Sequence, residues 1–464
     1  MAIVLRAASV LLVLVVAVAG CGPAEGARSG RPGVSDATIS DYKSPPPVRA
    51  AAQADAGDAR GLVRSLLAGS LDRDALARVV RSGDVRQAWL LGDLLRFVED
   101  EGDESALVEA FARLTGRDPR TDPAFSAGGV WNGVSNRLIA WDLAAPPGYV
   151  AVKAMLFSAI EPGWRAFFAD ADADIDWRLV SWGGVPIDAR PAGASAPCPR
   201  GCIPALDDPQ LTSAREGGWY DDDAIVFGIV VGGEAVAFAR NIMEVHVMVN
   251  VTIGGRRLGI PYCTLCASAQ AYFTDRLPGG RPAAVLRTSG LLSRSNKVMY
   301  ELRTRSVLDT FTGRALSGPL HDAGITLEQT SVVASSWGAW KRAHPRTRIV
   351  ARDGGIGRDY PADPLRGRDD DGPIFPIGPA DPRLPVRERV IGVIARDGTA
   401  VAFSSDQARA ALADGGRVAL RGVRLLADGS GLRAVDHSGR ALVAHEAFWF
   451  AWSQFHSKTA VWTP

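Results

Sequence analysis

The feature that most constrains this chain is a pattern that occurs twice. Gly228-Ile229-Val230 through Ala235-Val236-Ala237-Phe238 returns as Gly392-Val393-Ile394 through Ala400-Val401-Ala402-Phe403. Trp337-x-x-Trp340-x-x-x-His344-x-x-Thr347 returns as Trp449-x-x-Trp452-x-x-x-His456-x-x-Thr459. The first pair is offset by 164 to 165 residues and the second by 112, so the later copy is about 52 residues shorter between the same landmarks. The missing interval is expected to include Cys263 and Cys266. A duplicated module in which one copy carries the cysteine segment implies a shared scaffold and one specialised site.

The surroundings of the repeat set the fold class. Short Val, Ile and aromatic runs, broken by Gly-Gly at 232–233, 254–255 and 279–280, predict strands. The first repeat, with its Cys-x-x-Cys, spans 175–350, a Gly, Asp and Pro-rich linker 351–388, and the second repeat 389–464. Over 58–170 the period changes to that of helices: Leu90, Leu91, Leu94, Leu95 and Val98 recur at three- and four-residue steps, as do Leu107, Phe111 and Leu114. Asp84 and Asp103 are placed to cap these helices and Gly116 to end the second. The expected class is therefore α+β, an N-terminal helical module followed by a mainly antiparallel, β-rich core containing the duplicated module. The length after the leader exceeds one typical core, so two or more structural units are expected.

The N-terminus supplies an address. Arg6 precedes a small and apolar run from Ala7 to Ala19, which ends in Val18-Ala19-Gly20-Cys21, the pattern of a lipoprotein signal over 1–20 with lipidation at Cys21. The run is shorter than the roughly 20 apolar residues of a permanent span. Residues 21–57, with Tyr42 as their single aromatic, read as a tether. The expectation is an extracytoplasmic, membrane-anchored lipoprotein that meets the membrane through its lipid and a protein partner through its helical module. A formal net charge of +1, with scattered Lys and Arg, leaves no electrostatic footprint for nucleic acid.

Of five cysteines, four remain once Cys21 carries lipid, in a compartment that permits disulfides. Cys198-Pro-Arg-Gly-Cys202 lies in a Pro, Ala and Gly-rich loop that suits a local disulfide, although four cysteines allow three pairings. Glu244-Val245-His246-Val247-Met248-Val249-Asn250-Val251 alternates, and as a strand would project His246, Met248 and Asn250 from one face. A hairpin at Gly254-Gly255 would then bring His246 towards Cys263 and Cys266. Imidazole, thioether and thiolates suit copper or zinc. Cys263, Cys266 and His246 are thus the metal or redox candidates, with Met248 a weaker ligand and Asn250 and Tyr262 placed to support them.

The same cysteines fit other readings. Two thiols at this spacing also form a plain structural disulfide, or a dithiol that exchanges with a partner, Cys263 attacking. A histidine on a strand is also a common hydrogen-bonded structural residue. Three functions stay open: a soft-metal or redox-linked binding module, a thiol-disulfide oxidoreductase, and a scaffold lipoprotein with structural disulfides. Ala267 stands where haem attachment needs a histidine, and a single Cys-x-x-Cys makes no zinc ribbon. Asp170, Asp172, Asp174 and Asp176 lack the Gly and Glu of a calcium loop, and Asp369-Asp370-Asp371-Gly372 is a solvated turn. The chain has no P-loop, Gly-x-Ser-x-Gly elbow or His-Glu-x-x-His helix, so an ordinary hydrolase or nucleotide enzyme is unsupported.

Several short elements together resemble one family. They are Ser181-Trp182-Gly183-Gly184-Val185, Gly201-Cys202-Ile203-Pro204-Ala205-Leu206-Asp207, Tyr262-Cys263-Thr264-Leu265-Cys266, Ser289-Gly290-Leu291-Leu292, and Trp337-x-x-Trp340 with His344-Pro345. On these the chain resembles the bacterial extracytoplasmic proteins grouped as domain of unknown function 3179, over about 177–350 with a second copy up to Trp462. The resemblance implies no established reaction. The family pattern reads His-Glu-x-x-Asn-Asp before the cysteines, whereas here His246 and Asn250 are followed by Val247 and Val251. If those carboxylates orient a metal-bound histidine in relatives, this chain is expected to bind metal poorly. The segment from Pro191 to Cys202 looks inserted, a local staple beside the shared site.

Overall fold

Each copy of the repeated sequence builds the same four neighbouring strands of a sheet. The computed structural model describes residues 37–42, 44–49, 53–121, 129–366 and 373–464. In the first copy, Ile225–Val231 and Glu234–Ala239 form an antiparallel hairpin, closed by Gly232 and Gly233 at φ 58° and 81°, where a side chain would be strained. Val333–Ser336 pairs antiparallel on one side and Arg348–Val350 parallel on the other, the helix Trp337–Ala343 joins these two flanking strands, and Leu211–Ser213 adds a fifth, edge strand antiparallel to Arg348–Val350. In the second copy, Arg389–Ile394 and Ala400–Ser404 form the hairpin, flanked by Ala444–Phe448 and Ala460–Trp462 in the same directions and joined by the helix Trp449–Phe455.

The Trp-x-x-x-His-x-x-Thr spacing has a local cause. Trp340 Nε1 donates to Thr347 Oγ1 at 2.9 Å, and Trp452 Nε1 to Thr459 Oγ1 at 3.1 Å, so each indole pins the strand that follows its helix. His344 and His456 close each helix and lie against their own indoles, with ring centroids 3.9 and 4.2 Å apart. Between the hairpin and these elements the second copy has the helix Ser405–Ala413 and a small antiparallel meander from Ala419 to Leu442. The first copy has the helix Arg240–His246, the hairpin Met248–Ile253/Arg256–Cys263, and a further sheet containing Leu286–Ser293, Asn296–Glu301 and Val307–Asp309.

The helical module comprises Ala56–Leu67, Arg73–Arg81, Ala88–Leu95, Glu101–Thr115, Gly129–Trp141 and Tyr149–Ile160. Aspartates start four of its turns. Asp55 accepts from Gly57 N, Asp72 from Asp74 N and Ala75 N, Asp84 from Arg86 N in the turn that leads into the third helix, and Asp100 from Asp103 N. The expected cap Asp103 is corrected: Asp100 caps that helix. Asp103 lies inside it and reaches across to Leu71 N at 2.9 Å and Arg73 Nη2 at 2.6 Å. Gly116 ends the helix at φ 68°.

The apolar faces of these helices share one core with the sheet containing Leu291, Val298, Tyr300 and Val307, and Trp164 Nε1 donates to Ser289 O at 2.7 Å. The described residues accordingly fall in one compact unit, and not in the separate units expected from length. Parts of the stretch read as a tether are docked: Thr38 bridges to Ala380, and Tyr42 is buried. The leader and Cys21 lie outside the described residues. Among the described residues no helix is long and apolar enough to cross a membrane.

Candidate functional site

The segment expected as one strand, Glu244 to Val251, is two elements. Arg240–His246 is a helix, with Arg240 Nε donating to Glu244 Oε1 one turn on at 2.6 Å. Val247 turns the chain at φ 47°, and the strand begins only at Met248. This parts the residues expected on one face. Met248 sinks into the core with Tyr272, Leu286 and Met299. Asn250 is fully buried and bonds Asp207 Oδ1, Leu286 O and Leu286 N, joining two sheets. Tyr262 is buried with its ring 4.9 Å from that of Phe227.

His246 faces neither cysteine pair. Its Nδ1 lies 2.7 Å from Pro204 O, and its Nε2 lies 2.6 Å from Tyr360 Oη. A carbonyl only accepts, so Nδ1 carries the proton, and Nε2 accepts from the tyrosine hydroxyl. Burial pushes the imidazole from 6.5 down to about 4, with Arg358 and Arg190 adding to the effect, so it is neutral near pH 7. Burial likewise raises Tyr360 to about 12. The pair is a fixed neutral hydrogen bond.

A pocket of about 360 Å³ opens beside this pair. One wall is the loop Gly193 to Pro197, the second is Pro204 to Asp207, and the third is Ile356 to Arg358 from the connector. Behind the walls is a paired charge network. Asp188, fully buried, is gripped by Arg190 at 2.8 and 3.0 Å and by Ala205 N at 2.8 Å. Asp207 meets Arg287 at 2.6 and 2.9 Å, and accepts from Gly193 N at 2.7 Å. Burial opposes its charge, but these donors outweigh that and hold its pKa below the usual carboxylate range. Arg190 also donates to Ala194 O, Ala196 O and Ala205 O, lacing the first wall to the second. Beneath them Lys297 Nζ donates to Val247 O and Thr288 Oγ1, and burial pushes it down to about 7.

Both cysteine pairs are disulfides. Cys198 and Cys202 are joined with α-carbons 5.3 Å apart, half-buried, at the base of the loop that forms the first wall. Cys263 and Cys266 are joined with α-carbons also 5.3 Å apart, and are 3% and 0% exposed. They lie in the core between the two copies, against Phe311, Phe448, Trp449 and Trp452. Asn296 anchors that contact: its Oδ1 is 3.2 Å from Cys266 Sγ and its Nδ2 donates to Gln454 Oε1 at 2.6 Å. The structure therefore does not bring His246, Cys263 and Cys266 together as a ligand set. Among the described residues, the groups close enough to share an ion are Asp188 with Cys198 and Cys202, and Asp170 with His321 and Asp322. In the first, the sulfurs are bonded to each other and the carboxylate is held by Arg190.

Sequence reasoning missed Arg190, Asp207, Arg358 and Tyr360. Tyr360 is the one aromatic between Asp353 and Gly372, and that isolation in a Gly, Asp and Pro-rich stretch was the available signal. No curated protein and no solved structure matches the chain. A family model described as protein of unknown function (DUF3179) matches residues 200–440, a span that contains His246, both cysteines of the Cys-x-x-Cys, Arg358 and Tyr360, and that runs from the stapled loop into the second copy. That match covers more than half of the sequence, and the chain belongs to the DUF3179 family.

Proposed function

We propose that this chain is a membrane-anchored extracytoplasmic lipoprotein that binds a small molecule in the pocket beside His246, without a catalytic step. The observation that carries the reading is the pocket itself. Its volume of about 360 Å³ falls in the range of small-molecule sites, roughly 300–1,000 Å³. Its buried polar groups are already spoken for: both imidazole nitrogens are bonded, and Asp188 with Arg190 and Asp207 with Arg287 are paired. A site of such fixed groups favours recognition over proton transfer. Copper or zinc ligation by His246 would require breaking its bond to Tyr360, and ligation by Cys263 and Cys266 would require reducing a buried disulfide. Those costs favour the binding reading over the soft-metal and oxidoreductase readings.

Native mass spectrometry of the full chain in lipid discs tests the pocket. A bound small molecule is expected, and is expected to be lost in Ala194→Trp, whose indole fills the first wall. A ligand retained in that variant would overturn the assignment. Fractionation tests the anchor: Cys21→Ser is expected to move the protein from membrane to soluble fractions, and unchanged membrane association would refute it.

A further inference from the structure

The pocket beside His246 carries one cation that its own carboxylates do not neutralise. Asp188 and Asp207 are matched by Arg190 and Arg287. His246 is neutral, and Tyr360 spends its proton on it. Arg358, on the third wall, is exposed, and among the described residues its guanidinium lies 5.8 Å from the ring of Tyr360, with no carboxylate on it. The rest of the lining is mostly apolar, with Pro197, Pro204, Leu206 and Ile356, and Ser195 adds one hydroxyl on the first wall.

We propose that the pocket takes a small organic anion, a single carboxylate on an apolar body, with Arg358 as its counter-ion; this rests on the reading of the pocket as the binding site. The guanidinium is a planar fork that matches a carboxylate with two parallel hydrogen bonds. Apolar walls remove water from that pair and strengthen it relative to a fully exposed one. The same walls favour a hydrocarbon body over a compact inorganic anion, which would lose hydration without gaining contacts. Burial is the main cause of the low proton affinity of His246, and Arg358 and Arg190 lower it further against the opposing charge of Asp188. A cationic ligand would meet Arg358 as a like charge. A sugar would leave its hydroxyls against proline and isoleucine.

Titration calorimetry on the full chain in lipid discs, with benzoate, inorganic phosphate, glucose and choline as probes, decides the matter. Benzoate is expected to bind with one-to-one saturation and more tightly than phosphate, and glucose and choline are expected not to bind. Arg358→Gln is expected to weaken benzoate by about tenfold, and Arg358→Lys to restore much of the loss. Raising the salt concentration is expected to weaken it as well, because Arg358 is exposed. Absence of benzoate binding, or benzoate binding indifferent to Arg358→Gln, overturns the inference. Glucose or choline bound in the wild type and lost in Ala194→Trp would overturn the anion while leaving the pocket as the site. Benzoate binding unchanged in Ala194→Trp would place the site elsewhere and overturn both.

Discussion

A β-carbon added at Gly228 would lie 2.4 Å from Cη2 of Trp340, so the indole occupies the space that a side chain at this strand position would need. Gly392 and Trp452 repeat the relationship at 2.2 Å. Both tryptophans are essentially unexposed and cannot retreat without breaking their bonds to Thr347 and Thr459. Gly228→Ala and Gly392→Ala are therefore each expected to destabilise the chain by about 1–3 kcal/mol, the usual range for overpacking a filled core. Urea unfolding followed by tryptophan fluorescence measures this. Alanine tolerated at either position without a shift in midpoint would mean that the indole does not pack as described.

That glycine under its tryptophan is why the duplication was legible in the sequence. The residues it requires, a small one in the strand and Trp, His and Thr at fixed steps after the facing strand, recur because each does a local job. The staple at Cys198 and Cys202 was legible for a similar reason, since the turn between them is local, with Gly201 at φ 80° donating its N–H to Cys198 O at 3.0 Å. The element around His246 was not. Valines at every second position satisfy the period of a strand, yet a seven-residue buried helix followed by a buried strand gives no clean period of its own. The break is at Val247, a β-branched residue in the left-handed region, where sequence rules expect glycine or asparagine. The partner of His246 was equally hidden, because Tyr360 lies 114 residues away in a stretch whose composition reads as a linker. The charge pairs behind the pocket are likewise non-local, with Asp207 and Arg287 separated by 80 residues.

The buried histidines predict a pH dependence with a definite sign. Burial lowers His246 from 6.5 to about 4 and His445 from 6.5 to about 3. Above 6.5 neither state binds the proton and their neutral burial costs nothing extra. As pH falls below 6.5 the unfolded chain takes up protons that the folded chain refuses, so stability is lost progressively down to about 4 for His246 and about 3 for His445. Each contributes a slope of up to about 1.4 kcal/mol per pH unit. His445 Nε2 is buried without a hydrogen-bond partner among the described residues. His445→Leu is therefore expected to remove one such slope while keeping the fold at pH 7. Unfolding midpoints measured from pH 7 to pH 4 check this, and parallel curves for wild type and variant would refute it.

The two disulfides are expected to differ in access. Cys198 and Cys202 are half-buried in a surface loop, whereas Cys263 and Cys266 are enclosed between the two copies. Exchange requires a thiolate to reach a sulfur. Mild dithiol treatment of the folded protein should therefore free two thiols, both mapped to the staple, and a further two should label only after denaturation. Labelling of Cys263 or Cys266 in the folded protein at the same rate would mean that the interface between the copies opens readily. That result would restore the Cys-x-x-Cys as a redox site.

The bond between Tyr360 and His246 joins the connector to the first copy, and its loss has a separable signature. Tyr360→Phe removes the hydroxyl and leaves Nε2 of a 1% exposed imidazole without its donor. The expected cost is that of an unpaired buried acceptor, about 1–3 kcal/mol. The ring stays, so the apolar packing of Tyr360 against the first copy should persist, and the loss should be confined to the hydrogen bond. His246→Leu removes the acceptor too, but also abandons Pro204 O. A double-mutant cycle over Tyr360→Phe and His246→Leu is thus expected to show positive coupling, with the pair costing less than the two single changes added. Hydrogen exchange across 351–366 provides the local readout: faster exchange there in Tyr360→Phe, with the strands of both copies unchanged, is the expected pattern. Strict additivity in the cycle would mean that the two side chains do not share a bond in solution, and the third wall of the pocket would then have to be held by the connector's other bonds, those to Gln210 and Asn241.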